Sequence, residues 1–420
     1  MTAHEVEVWT TDAAGDRRVG TLRPSFMGGR ALASSSFEYD EPWLRGGGWR
    51  ISPDLPLRWG RTYAAENQTL PGAFSDAAPD DWGQKIIRAD NARRRQHDDA
   101  LPARLGEFDY LLGVADHTRI GALRFRDDGG WLSSEAGVAN LHDLQRIVDT
   151  AQRYEDDEAT DEDIAYLNDV ATSPGGARPK ANVVTGDGRL AIAKLPHSKD
   201  GRFDVERWEG VALSIAAAAG LRTPRWSIAP SGAGRAVLVS ERFDRDGGGV
   251  RLGYMSGRTA LGLGTHDNGS RETYEDFADT IAEWSVEPVA DLQEMFGRIA
   301  LTVLINNVDD HWRNHAFLHD GTGWRLSPLF DVNPSRQRGV IDSRRISDKD
   351  DPTDRQLSHL IEVAGAFRLR SAPARDVVRR VARAVTLWDA EAQALGIGAD
   401  ERGALQSVFE TPQLDWALAL

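Results

Sequence analysis

The 420-residue chain contains no cysteine, which excludes disulfides, thiolate zinc sites and a cysteine nucleophile. Any metal must therefore rest on Asp, Glu, Asn or His. No apolar run approaches 18 residues, and the opening Met1-Thr2-Ala3-His4-Glu5 lacks the basic-then-apolar order of a secretory signal. These absences predict a cytoplasmic chain with no membrane role. Basic charge is also short: 50 Lys and Arg stand against 65 Asp and Glu, a net charge of -15. That balance argues against a free-standing nucleic-acid binder, which needs a basic face for phosphates. Lysine is the scarcest charged residue, occurring only at 85, 180, 194, 199 and 349, against 45 arginines. Where arginine serves almost everywhere, a retained lysine is a candidate for work that suits a compact point charge better than a guanidinium fork. Lys180 and Lys194 fall close together.

What is present is a globular composition, 40% hydrophobic and 27% charged, with room for about three lobes of roughly 150 residues each. Residues 1–130 alternate period-two runs, such as Glu5-Val6-Glu7-Val8-Trp9 and Phe37-Glu38-Tyr39, with Gly/Pro punctuation. Trp82, Ile86 and Ile87 are spaced for a helix over 80–95, and a second helix is predicted over 140–154. The acidic run 155–163 reads as a solvated loop or helix start. Residues 131–245 then give a Gly-rich loop, a strand over 189–194, a helix over 205–219 closed by Gly220, and a strand over 236–240. From 246 to 420 helices dominate, at 274–284, 289–306, 374–387 and near 401–409. No period of 20 to 50 residues repeats, so a solenoid is excluded.

The chemistry concentrates in two places. The helix over 289–306, with Leu292, Phe296, Ile299 and Val303 on one stripe, delivers Asn307-Val308-Asp309-Asp310-His311-Trp312-Arg313-Asn314. A short hairpin (316–318 and 324–326) leads to Leu329-Phe330-Asp331-Val332-Asn333-Pro334. Phosphoryl transfer needs a carboxylate that orients the attacking hydroxyl and oxygen ligands that fix Mg²⁺ on the phosphates of ATP. Asp309 suits the first role, and Asn314 and Asp331 the second. Asp310 competes with Asp309, although the spacing to Asn314 favours Asp309. Upstream, Lys194 at a strand end would reach the α- and β-phosphates, and Glu209 on the next helix would hold it, with Glu206 on nearly the same face. The run Thr172-Ser173-Pro174-Gly175-Gly176-Ala177-Arg178-Pro179-Lys180 lets backbone N–H groups approach a phosphate, though it is neither a Walker A sequence nor Gly-x-Gly-x-x-Gly. His311 and His315 lack the glutamate of a zincin pair.

Ser-Pro-Gly-Gly-Ala-Arg-Pro-Lys, Ala-Lys-Leu-Pro, Ser-Glu-Arg-Phe-Asp-Arg, Asp-x-His-x-x-Asn and Pro-Leu-Phe-Asp-Val-Asn-Pro, in this order and spacing, resemble the HipA family over nearly the whole chain. Members are serine/threonine protein kinases, mostly toxins of type II toxin-antitoxin pairs. The resemblance implies an α+β, two-lobed protein-kinase-like fold with an additional N-terminal α/β subdomain (1–130), a kinase N-lobe (131–245) and an all-helical C-terminal lobe (246–420). It makes Asp309 the catalytic aspartate, Asn314 and Asp331 the magnesium ligands, and Lys194 the phosphate-contacting lysine positioned by Glu209. Gly175, Gly176, Ala177, Lys180, Glu241 and Phe243 join the ATP site, the last two flanking adenine at the interlobe hinge through their backbones. Ser173 matches the serine that members phosphorylate on themselves, and a dianionic phosphate there would expel the loop from a site meant for ATP phosphates. Pro174 stiffens the following residue.

The implied partners are a HipB-like helix-turn-helix antitoxin, DNA only through that antitoxin, and a protein substrate; some members modify aminoacyl-tRNA synthetases. Residues 253–274, rich in Gly, Ser and Thr, are the candidate for substrate contacts. Two other readings fit the same residues: a nucleotide-binding co-regulator of a helix-turn-helix protein without turnover, and a lipid or small-molecule kinase.

Overall fold

The computed structural model describes residues 5–12, 15–128, 130–133, 138–172, 176–201, 203–232, 234–264, 267, 269–337 and 344–420. The period-two runs of the first segment form a six-stranded antiparallel sheet. Its order from one edge is Thr62–Tyr63, Leu32–Tyr39, Gly15–Phe26, Val6–Asp12, Leu123–Asp127 and Gly130–Trp131. Alternate residues Val6, Val8, Leu22, Phe37 and Phe125 turn to one face and bury against Trp43, Phe74, Phe108 and Leu111 from short helices. The helix Asp81–Arg94 leaves this core. Its Trp82 and Ile86 pack into the next lobe.

That lobe is built on a five-stranded sheet in the order Trp226–Pro230, Ala236–Glu241, Leu190–Lys194, Lys180–Val184 and Ala139–Asn140. Ala181, Val183, Ala191, Ala193, Val237 and Val239 face its apolar core, closed by the helices Leu144–Glu155 and Asp161–Ala171. The end of the acidic run is the first turn of the second of these helices. Thr160 and Asp163 make a reciprocal capping box there, which suits acidic side chains at the positive end of the helix dipole. The pairing register sets Lys180 directly opposite Lys194.

The helix Val205–Ala218 belongs by packing to the third lobe. Trp208, Val211, Ala212, Ile215 and Ala216 join the core made by the helices Tyr274–Trp284, Pro288–Leu304 and Ser371–Val385. Trp208 stacks on Phe409 at 5.9 Å and donates from Nε1 to Glu401 at 2.9 Å. The helical lobe also carries a three-stranded sheet, Gly253–Ser256, Ala316–His319 and Trp324–Leu326. The start of the expected substrate segment is therefore core structure. Ser256 donates from its backbone N and its Oγ to Asp76, at 2.8 and 2.7 Å, and so faces the N-terminal subdomain. Among the described residues no helix is long and apolar enough to cross a membrane.

The segment after strand Ala236–Glu241 joins the lobes. Its alternation sends Arg242 and Asp244 inward and Phe243 the other way, onto Phe330 at 5.1 Å. Buried Asp244 accepts from Arg242 (2.7 and 2.6 Å), Arg245 (2.7 Å) and the Gly121 amide (2.7 Å). Arg242 and Arg245 in turn donate to the carbonyls of His117, Thr118 and Arg119. The hinge is thus fastened to the N-terminal subdomain by charges that satisfy one another. Removing one member of such a buried cluster leaves the others unpaired, at about 3–5 kcal/mol. Asp244→Ala should therefore lower stability by about that amount in chemical denaturation, whereas a loss within the surface range of about 0.5 kcal/mol contradicts this packing.

Candidate functional site

The site forms where the five-stranded sheet meets the helical lobe. Lys194 ends its strand with its ammonium between two carboxylates: it donates to both oxygens of Glu209, at 2.6 and 2.7 Å, and to Asp331 Oδ1. Glu209 is buried on the helix Val205–Ala218, whose N-terminus is fixed by the Asp204 cap on the Arg207 amide at 3.1 Å. Burial works against the Lys194 charge, yet Asp331 and Glu209 outweigh it and raise its pKa. Burial would likewise raise Asp331, but the Lys194 and Lys180 ammoniums hold that carboxyl below its usual range. For Glu209, burial pushes the pKa up and Lys194 pulls the other way.

Lys180, directly across from Lys194, is buried as well. Like charges placed opposite each other in a sheet are destabilising, so the pair needs anions around it. Burial lowers the Lys180 pKa, with the Asp331 and Asp80 carboxylates pulling the other way. Asp80 Oδ2 lies 3.8 Å from its Nζ, and burial pushes the Asp80 carboxyl up to about 7. Gly176, at φ 107°, passes over this lysine: a Cβ there would stand 2.3 Å from Nζ. Its φ lies in the region that glycine adopts without steric cost. Ala177 sits at the exposed rim. Ser173, Pro174 and Gly175, the start of the Gly-rich loop, lie outside the described residues.

The loop after the helix Pro288–Leu304 separates the two adjacent aspartates by burial. Asp309 is exposed, its side chain 74% accessible, with His311 Nε2 at 3.8 Å. Asp310 is buried on His315 Nε2 at 3.0 Å, near Arg355 at 3.9 Å. Its carboxyl serves the loop's interior, whereas the Asp309 carboxylate stands in solvent. Asn314 Nδ2 donates to the Asp309 carbonyl at 2.7 Å, which leaves its amide oxygen as the end suited to a hard cation. Asp331 adopts φ 53°, uncommon outside glycine, asparagine and aspartate. An amide oxygen and an ionised carboxylate are the donors Mg²⁺ takes, and the two fit it. Asn306, at φ 50°, ends the helix and donates to the carbonyls of Ser335 and Gln337 at 2.6 and 2.9 Å. It so ties the start of the Asp309 loop to the segment after Asp331. The sequence offered a signal for this, an asparagine just past an apolar stripe.

Other expected residues stand apart. Glu206 turns to Arg178 at 2.8 Å instead of to Lys194, and Arg178 also holds Asp200 at 2.7 and 2.5 Å. The Glu241 carboxylate faces away, onto Arg225 at 2.7 Å and Arg189 at 3.4 Å, so only its backbone lies along the hinge. Phe243 is half-buried beside Phe330 and thus next to Asp331.

Two family models match the chain: the HipA N-terminal domain over residues 7–126 and the HipA-like C-terminal domain over residues 172–388. A Sinorhizobium fredii protein named "Putative kinase Y4mE" is 28% identical over 186 residues, 38% of this chain and 41% of that one. The match thus spans under half of that relative's length. Among solved structures, HipA of Shewanella oneidensis, in a complex with HipB and its operator DNA, superposes with a TM-score of 0.68 at 19% identity, covering 99% of this chain and 96% of that one. The proinflammatory kinase CtkA of Helicobacter pylori gives a TM-score of 0.40 at 12% identity, over 57% of this chain and 93% of that one.

Burial raises the Glu206 carboxyl from 4.5 to about 7, with Arg178 opposing. A folded value above the unfolded one means that Glu206 stabilises the fold at acid pH and that this contribution is lost as pH rises through about 7. The melting temperature of Glu206→Gln, relative to the parent chain, should therefore rise between about pH 5 and about pH 8. An unchanged difference across that range contradicts the assignment.

Proposed function

The chain belongs to the HipA family, and from that premise we propose that it is a kinase that transfers the γ-phosphoryl of ATP to a Ser or Thr hydroxyl of a protein. One observation carries the reading: two ammoniums, of buried Lys180 and half-buried Lys194, stand side by side in register with the Asp331 carboxylate against them. Such a pair favours a polyanion at its open side, and a triphosphate supplies one.

In this reading Lys194, held by Glu209, contacts the α- and β-phosphates, and the Gly176–Ala177 backbone covers them with Lys180 beneath. The hinge backbone at Glu241 and Phe243 lines the adenine. Asp309 accepts a hydrogen bond from the substrate hydroxyl and takes its proton late. The hydroxyl oxygen bonds to the γ-phosphorus as the bond to the β,γ-bridging oxygen breaks, and ADP leaves. Mg²⁺, when bound, neutralises charge on the phosphates, with Asn314 and Asp331 as its oxygen ligands. Positioning and electrostatics make up nearly the whole contribution of the protein, because the transferred group is loosely bonded at the transition state.

The relative named as a kinase supports this reading in outline. The HipA of Shewanella oneidensis was solved with HipB and operator DNA, and we extend that arrangement to this chain: a HipB-like helix-turn-helix antitoxin as partner, with DNA reached through it. The net charge of -15 suits an indirect role at DNA. Ser173 is the proposed site of self-modification, and a phosphate there would compete with the nucleotide for the same lysines.

With γ-labelled ATP, label should appear on the chain itself and be lost in Ser173→Ala. Asp309→Asn should cut transfer by about 10²–10⁴-fold, the usual share of a general base, while ATP affinity stays within about two-fold. Full transfer by Asp309→Asn contradicts the assignment.

A further inference from the structure

The first turn of the helix Asp81–Arg94 has no part in the chemistry above, yet it meets both ends of the Gly-rich loop. At the loop's end, buried Trp82 donates from Nε1 to the Lys180 carbonyl at 3.0 Å. At its start, Gly83 lies so close to Thr172 that a Cβ would stand 2.5 Å from the Thr172 carbonyl oxygen. Between these contacts sits Asp80, the N-cap. Its Oδ1 accepts from the Gly83 amide at 3.2 Å. Its Oδ2 is buried and has no hydrogen-bond partner, and it faces Lys180 Nζ at 3.8 Å. A Cβ on Gly176 would stand 3.8 Å from that same Oδ2, so the carboxylate borders both the ammonium and the loop backbone.

A cap needs only one oxygen, and asparagine caps as well as aspartate. The second oxygen and the charge therefore have another use. Lys180 is buried, stands opposite a second lysine and has a flexible stem; of the two carboxylates that favour its charge Asp331 is already bonded to Lys194, which leaves Asp80 to fix its position under the loop. Trp82 fixes its backbone but leaves the ammonium free.

We propose that Asp80 is a positioning residue for the nucleotide: it holds the Lys180 ammonium beneath the Gly-rich loop, so that the start of the helix Asp81–Arg94 completes the phosphate site. This rests on the kinase reading for its ligand, but the clamp itself is a property of the free protein.

Asp80→Asn keeps the cap and removes the charge. It should weaken binding of a fluorescent N-methylanthraniloyl-ATP by about ten-fold, the scale of one hydrogen bond to a charged group. In a Lys180→Met background the same change should cost less than about two-fold, because the two act through one contact. In the protein without nucleotide, amide exchange across residues 176–184 should quicken in Asp80→Asn while the melting temperature holds. Effects of the two substitutions that simply multiply would overturn the proposal, as would unchanged affinity together with unchanged exchange. If the parent chain binds no nucleotide, the kinase reading fails, and the exchange measurement alone decides the clamp: faster exchange sustains it and unaltered exchange refutes it.

Discussion

The ammonium of Lys194 is the point at which the three parts of the site meet. It ends a strand of the smaller lobe, its partner Glu209 sits on a helix packed into the larger lobe, and Asp331 comes from the loop that closes the cleft. A charge removed from water is tolerated only with hydrogen-bonded counter-charges at close range. Each element's position is therefore a condition for the others. The helix cannot drift, because Trp208 and the backbone N of Asp204 are both fastened to Glu401. The left-handed turn at Asp331 brings its carboxylate back toward the sheet. A nucleotide and its metal would enter a site whose charges are already arranged, which is where electrostatic catalysis finds its advantage.

The composition acquires a structural meaning here. Arginines take the buried structural tasks: Arg119 donates to the carbonyls of Ala77, Leu111 and Val114, Arg242 and Arg245 bind the hinge, and Arg298 joins Glu294 to the Ser327 carbonyl. A planar fork with five donors satisfies several acceptors at once. Of the five lysines, 85, 199 and 349 are exposed, whereas 180 and 194 occupy the site.

Much of this was legible in the sequence. Period-two runs and apolar stripes marked the strands and helices, and of the residues grouped by spacing the fold joins Lys194 to Glu209 and Asp331 and ties Asn314 to the Asp309 carbonyl. What stayed hidden depended on partners distant in the chain. Asp80 reads as a helix start, since Lys180 lies a hundred positions away. Glu206 and Glu209 share a helix face, and only the tertiary position of Arg178 separates their tasks. Asp309 and Asp310 are distinguished by burial against His315, which no spacing encodes. The Gly253–Ser256 strand lacks strand-forming composition at its ends and exists because Ala316–His319 pairs with it.

The account is tested most directly by a crystal structure with Mg²⁺ and a non-hydrolysable ATP analogue. It predicts the triphosphate over Lys194, with the Nζ within about 3 Å of a phosphate oxygen and still joined to Glu209. Asn314 and Asp331 should both lie about 2.1 Å from the metal. A nucleotide bound elsewhere, or a metal that leaves Asn314 and Asp331 untouched, would contradict it.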